Sequence, residues 1–182
     1  MTPASAPGAT PQPRDAGSPP PTLAIARLTL RAMHPGDWPA YAAFMAGGRS
    51  AHMGGPYGSR AARGLFCHDA AGWLLYGIGA LMVEAGGATI GQVGVSRGPR
   101  FPEPELGWLL YDGAEGQGYA AEATGTLRDW AFAQGWPTLV SYIDPANARS
   151  IRVAERLGAW RDADAVPQDP GDLVFRHPRP AA

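Results

Sequence analysis

Glu115-Gly116-Gln117-Gly118-Tyr119-Ala120-Ala121 is the stretch on which the reading of this chain turns. Before it, Glu105 to Tyr111 is a β-type segment. After it, Ala120, Ala123, Thr124, Leu127, Trp130, Ala131 and Gln134 recur on one face of a helix that Gly135 and Pro137 end. The seven residues therefore make a strand-to-helix turn, where unpaired N–H groups and the positive end of the helix dipole point at the loop. Glycines at 116 and 118 permit positive φ and let a diphosphate reach the main chain, so an anion can be held without a charged side chain. The same residues satisfy the dinucleotide fingerprint G-x-G-x-x-G/A through Gly116, Gly118 and Ala121, with Asp144 ending the next strand. A nicotinamide-dinucleotide-dependent oxidoreductase is thus a competing reading, and a plain tight turn is a third. Against the dinucleotide fold, only 38 residues follow Asp144, too few for the further parallel strands that fold builds.

On the N-terminal side, Leu23 to Arg31 reads as one strand, broken by His34-Pro35-Gly36-Asp37. Asp37 is placed to cap a helix whose face carries Trp38, Tyr41, Ala42 and Met45. Ala46 to Gly72 is rich in Gly and Arg and predicts mobile loops with a short helix around Arg60 to His68. Trp73 to Val83 and Thr89 to Ser96 flank Ala85-Gly86-Gly87 as a hairpin, and Glu105 to Tyr111 extends it into an antiparallel meander. On the C-terminal side, Leu139 to Ile143 completes a crossover unit and should lie parallel to the strand before the turn. Asn147 then caps a helix from Ala148 to Leu157 that Gly158 terminates, and Leu173 to Phe175 is a last strand. Residues 1–22 hold seven prolines and little to bury, which predicts a disordered leader before a single domain over 23–182.

Composition removes several chemistries. A net charge of −1 offers no field for nucleic acid or an anionic membrane. All 15 basic residues are arginine, so the lysine of a standard phosphate loop or a Schiff base is missing. Cys67 is the sole cysteine, and His34, His52, His68 and His177 lack zinc spacing, so no metal is expected. Cys67 and His68 are adjacent and cannot readily point together as a nucleophile and its base. With no long apolar run and no signal-peptide pattern, a cytoplasmic protein is expected.

Three motifs in order, Glu105-Leu106-Gly107-Trp108, Gly116 to Ala123, and Asn147-Ala148-Arg149-Ser150 with Leu157-Gly158, resemble the GNAT acetyltransferase superfamily, in particular the branch acetylating N-termini of ribosomal proteins. The resemblance spans about Leu23 to Phe175. It implies an α/β (α+β) fold: a mixed, mostly antiparallel twisted sheet with a splayed parallel central pair, flanked by about four helices. It also implies acetyl-CoA as cosubstrate. The pantetheine arm would enter the splay beside Tyr111, the pyrophosphate would rest on Gly116, Gln117, Gly118, Tyr119, Ala120 and Ala121, and the Asn147 side chain would hold the arm. One departure is Glu115, where the family motif begins with Gln or Arg; its carboxylate is expected to point outward.

The implied reaction is attack of a neutral primary amine on the thioester through a tetrahedral intermediate. Deprotonating an α-amine of pKa near 8 costs about 1.4 kcal/mol at pH 7, and a lysine near 10.4 about 4.6 kcal/mol. Glu105, at the start of the strand leading into the turn and matching a recurrent family carboxylate, is the candidate base. Glu103 or Asp112 would serve in another register. Ser150 and Tyr142 are candidate donors to the leaving thiolate. Arg149 and Arg152 read as solvated. The acceptor is a protein N-terminus or a small amine, a non-catalytic acyl-CoA-binding module is a further alternative, and a homodimer is left open.

Overall fold

The computed structural model describes residues 17–180. The expected leader therefore falls mostly outside the described residues. The order of elements is β1 (Leu23–Ile25), β2 (Leu28–Ala32), α1 (Trp38–Ala46), α2 (Ser59–Tyr76), β3 (Ala80–Ala85), β4 (Ala88–Ser96), β5 (Glu105–Leu110), α3 (Tyr119–Ala133), β6 (Val140–Ile143), α4 (Ala148–Arg156), β7 (Trp160–Arg161) and β8 (Leu173–Arg176). Short 3-10 turns at Pro35–Asp37 and Gly48–Met53 precede α1 and α2. All eight strands join one sheet in the order β1-β2-β3-β4-β5-β6-β8-β7. Every pairing is antiparallel except β5 with β6. The mixed, mostly antiparallel sheet with a parallel central pair is as expected.

Strand parity sorts the side chains. Leu30, Val83, Val93, Val95 and Leu106 face α3 and meet Ala123, Leu127, Ala131 and Phe132 in the main core. Each fully buried Leu or Val here stabilises the fold by roughly 1.5–3 kcal/mol before conformational entropy is set against it. On the other face α1 and α2 pack Tyr41, Met45, Ala62 and Phe66 over Leu109. A third cluster, Ile143, Ala154, Ala159 and Phe175, seats α4 on the C-terminal strands.

Three expectations change. The first strand is a hairpin, Leu23 pairing Leu30 and Ile25 pairing Leu28, turned at Ala26-Arg27 without a glycine or asparagine to announce it. Asp37 is 7% exposed but makes no capping bond to α1. Its carboxylate instead takes both terminal nitrogens of Arg31, at 2.8 and 2.7 Å, and the His34 N–H. Ala46 to Gly72 is largely helix: α2 has 18 residues, absorbs Trp73 to Tyr76 from the expected hairpin, and ends at Gly77 with φ 70°.

Candidate active site

The site begins where the sheet comes apart. β4 and β5 share a register from Gly91↔Leu110 to Ser96↔Glu105, whereas β5 and β6 meet only at Glu105↔Val140 and then diverge. Past that bridge the Ser141 hydroxyl donates to the Leu106 carbonyl at 2.5 Å, a side chain standing in for the lost main-chain ladder. His177 Nε2 lies 2.9 Å from the Ser141 Oγ. The Ser141 proton is committed to Leu106, so Nε2 is the donor and Nδ1 is left as a buried acceptor without a partner. The parting opens into a cavity of about 1050 Å³ that runs along β4, β5 and β6 to the starts of α3 and α4.

At one end lies the glycine turn. Gly116 and Gly118 have φ of 76° and 81°, and a Cβ on Gly116 would meet nothing within 4 Å, so the turn is open. Gly118 is the N-cap of α3 and no side chain caps the helix. Gly116, Gly118, Tyr119, Ala120 and Ala121 all line the cavity. Gln117 is not among the lining residues; its carbonyl accepts from Arg27 Nη2 at 2.7 Å, which anchors the outer side of the turn. Glu115 does not point outward. Its carboxylate lines the cavity, accepts the Gly113 N–H at 2.9 Å and pairs with Arg49 at 2.5 Å and Arg149 at 3.8 Å. The Glu115 carboxylate beside the turn thus comes with two guanidiniums, of which Arg49 is shared with Asp112. Asn147 lines the cavity and caps α4, its Oδ1 accepting the Ser150 N–H at 3.1 Å. Tyr111 is held elsewhere, packed with Phe44 in the α1–α2 cluster, with its hydroxyl buried and unpartnered.

The other end is acidic. Glu105 lines the cavity, and its pKa is pushed up to about 8, first by burial and then by the like charges of Asp69, Asp172 and Asp169. Glu103, two residues earlier in the loop before β5, grips Arg176 with both oxygens at 2.8 Å. That pairing holds its pKa below the ordinary carboxylate value. Asp112 is exposed and paired with Arg49 at 2.7 Å. Neither lines the cavity, so of the three carboxylates only Glu105 faces it. Tyr142 and Ser150 also line it. The Tyr142 hydroxyl accepts the Glu103 N–H at 3.0 Å, and burial raises its pKa.

Two groups in the cavity were missed from sequence. Asp69 on α2 accepts from Gln92 Nε2 at 2.9 Å and from the Tyr41 hydroxyl at 3.2 Å, and burial raises its pKa. Arg49 reaches the glycine turn from the 3-10 segment before α2. The available signal for Asp69 was its spacing: 62, 66, 69 and 73 share one helical stripe, so an acid there faces inward. Among the described residues no group of three potential ligands could hold a metal, and no helix is long and apolar enough to cross a membrane.

Residues 27–159 match the model of the acetyltransferase (GNAT) domain family. The chain belongs to the GNAT acetyltransferase family. As such it is an acetyl-CoA-dependent acetyltransferase, and solved GNAT structures resemble it along nearly its whole length. An acetyltransferase from Agrobacterium tumefaciens str. C58 is 51% identical, with a TM-score of 0.86, covering 92% of this chain and 100% of that one. A GNAT-family acetyltransferase from Bordetella pertussis is 25% identical, with a TM-score of 0.68 over 86% of this chain and 99% of that one. At 16% identity the fold alone is shared with the ribosomal L7/L12 alpha-N-protein acetyltransferase RimL in complex with coenzyme A, with a TM-score of 0.64 over 86% and 96% of the two chains.

Proposed function

We propose that this GNAT acetyltransferase moves an acetyl group from acetyl-CoA to a primary amine, on a protein N-terminus or a small molecule, with Glu105 as the base. Bound acetyl-CoA supplies the thioester, which the amine attacks directly to give a tetrahedral intermediate and then coenzyme A thiolate. The observation that carries the reading is that one cavity joins an uncapped, glycine-lined helix start to a carboxyl group of pKa about 8. The first suits a pyrophosphate. The second suits proton removal from an amine near neutral pH.

Within this reading the main-chain N–H groups of Tyr119, Ala120 and Ala121 hold the pyrophosphate, and Arg49 and Arg149 add charge beside it. Asn147, already spent on capping through Oδ1, offers its amide N–H₂ to the pantetheine arm. Glu105 takes a proton from the amine. Ser150, in the first turn of α4, is the preferred donor to the thiolate, because the Tyr142 hydroxyl is engaged at the Glu103 backbone. Acetyl-CoA at a hundred times its Kd should stabilise the protein by about 2.7 kcal/mol. A melting temperature that rises with NAD and ignores millimolar acetyl-CoA would sink the proposal. Thiol release over a panel of amines separates a working enzyme from a module that only binds acyl-CoA.

A further inference from the structure

Asp69 is an acidic group at the cavity wall with no part in the chemistry assigned so far. Strand pairing sets Ser96 opposite Glu105, Gly94 opposite Gly107 and Gln92 opposite Leu109, all on the sheet face beneath α2. Asp69 comes down from α2 onto that face, and Asp69, Gln92, Glu105 and Gly107 line the same cavity. A Cβ on Gly107 would meet nothing within 4 Å, so the floor beside Glu105 is left free of side chains. No arginine or histidine comes within 4.0 Å of Asp69 among the described residues, whereas the acids Asp37, Glu103, Asp112 and Asp144 each have such a partner. Gln92 is 3% exposed and its amide is turned to Asp69, which leaves its Oε1 with no donor. A buried carboxylate without a counter-ion costs several kcal/mol unless something neutralises it. Among the described residues no arginine or histidine is paired with Asp69 to balance it, His68 acting on it only from a distance.

We infer that Asp69 binds the acceptor's protonated amine beside Glu105, so that the site selects alkylammonium acceptors over weakly basic amines such as arylamines. This rests on the acetyl-transfer reading above. The amine arrives as a cation held by Asp69 and gives one proton to Glu105, the freed lone pair attacks the thioester, and the second N–H proton passes to the departing thiolate as the tetrahedral intermediate collapses. Burial raises the Asp69 pKa, and the bound ammonium, with the hydrogen bonds from Gln92 and Tyr41, opposes that shift and favours the carboxylate. The groups facing the two carboxylates are Tyr41 from α1, His68 on α2, Gln92 on β4, Tyr142 on β6, and Asp169 and Asp172 ahead of β8. Arg97 also lines the cavity, but its guanidinium lies over the Trp136 ring at 5.3 Å.

The test compares wild type with Asp69→Asn on benzylamine, aniline and an alanine-initiated tripeptide, at fixed acetyl-CoA. The KM for benzylamine and the peptide should rise tenfold or more, while those for aniline and acetyl-CoA stay within twofold. The acidic limb of kcat/KM should also move to lower pH, because Glu105 loses a like-charged neighbour. Tyr41→Phe removes one bond to Asp69 from outside the cavity and should move the same quantities in the same direction by less. Equal changes for aniline and benzylamine, or an unmoved limb, would overturn the inference. Carbon-13 titration of the Glu105 carboxyl, assigned with Glu105→Gln, reads the coupling without turnover: its midpoint should fall in Asp69→Asn, and identical midpoints would also overturn it. Should the wild type bind no acetyl-CoA, the acetyl-transfer reading fails, while the titration still decides whether the carboxylates are coupled.

Discussion

The two ends of the cavity are built by opposite means. Around the glycine turn the polar groups are main-chain N–H donors, with Arg49 and Arg149 beside them and Arg152 and Arg156 along α4. Beneath α2 the working groups are side chains from α1, α2, β4 and β5, and they are acidic or neutral. The net charge of −1 hides this polarity. Under the proposed reading, an anionic carrier and a cationic acceptor would each meet the complementary end, and the thioester would lie at the boundary, where β5 and β6 part.

The sharpest way to break that division is at the boundary itself. Glu105→Gln should lower kcat by about 10²–10⁴-fold while leaving acetyl-CoA affinity intact, as read by thiol release and calorimetry. Glu103→Gln is the matched control, since that side chain is tied to Arg176, and it should cost melting temperature instead of turnover. Because Glu105 must be ionised to act and its pKa is about 8, wild-type kcat/KM should climb about tenfold per pH unit below 8 and level off above it. A profile already flat at pH 6 would remove Glu105 from the role.

Gly118→Val attacks the other end. A β-branched residue at φ 81° is strained, and its side chain would push toward Arg27, 3.4 Å from the Cβ position. Acetyl-CoA affinity should weaken by about tenfold or more, and wild-type affinity would move the anion elsewhere. Glu115→Ala carries the smallest effect. Removing the Glu115 carboxylate from Arg149 and from Arg49, which keeps Asp112, should tighten acetyl-CoA by about two- to fivefold at low salt and less at high salt, a difference that titrations at two ionic strengths resolve.

The contrast also explains what the sequence could reveal. A turn made of consecutive residues writes its glycines in a row, and the β5-turn-α3-β6 unit around it was readable for that reason. The acceptor end is assembled from residues 41, 69, 92 and 105, a pattern that exists only after folding. The helix that carries Asp69 was obscured by the same residues that matter to the cavity. Its inward stripe, Ala62, Phe66, Asp69, Gly72 and Trp73, is interrupted by an acid and a glycine. Gly72 is there because a Cβ would come within 2.7 Å of the Ile78 carbonyl, so the chain returning into β3 can pass close. The β1–β2 hairpin and the two-residue β7 escaped for simpler reasons: one turns without a turn residue, and the other is too short to show a period.

The Ser141–His177 contact gives the seam of the sheet an acid-sensitive hinge pin. Burial, helped by the positive charge of Arg128, lowers the His177 pKa to about 4 from 6.5. The imidazole is therefore neutral when folded, and its contribution is whole above pH 6.5 and drains away as pH falls toward 4, by about 3 kcal/mol in all. Denaturant titrations across that interval should show the loss, and His177→Gln should flatten it. Mild acid would then loosen the enzyme first at the wedge between β5 and β6, the place that must keep its shape for a thioester to enter.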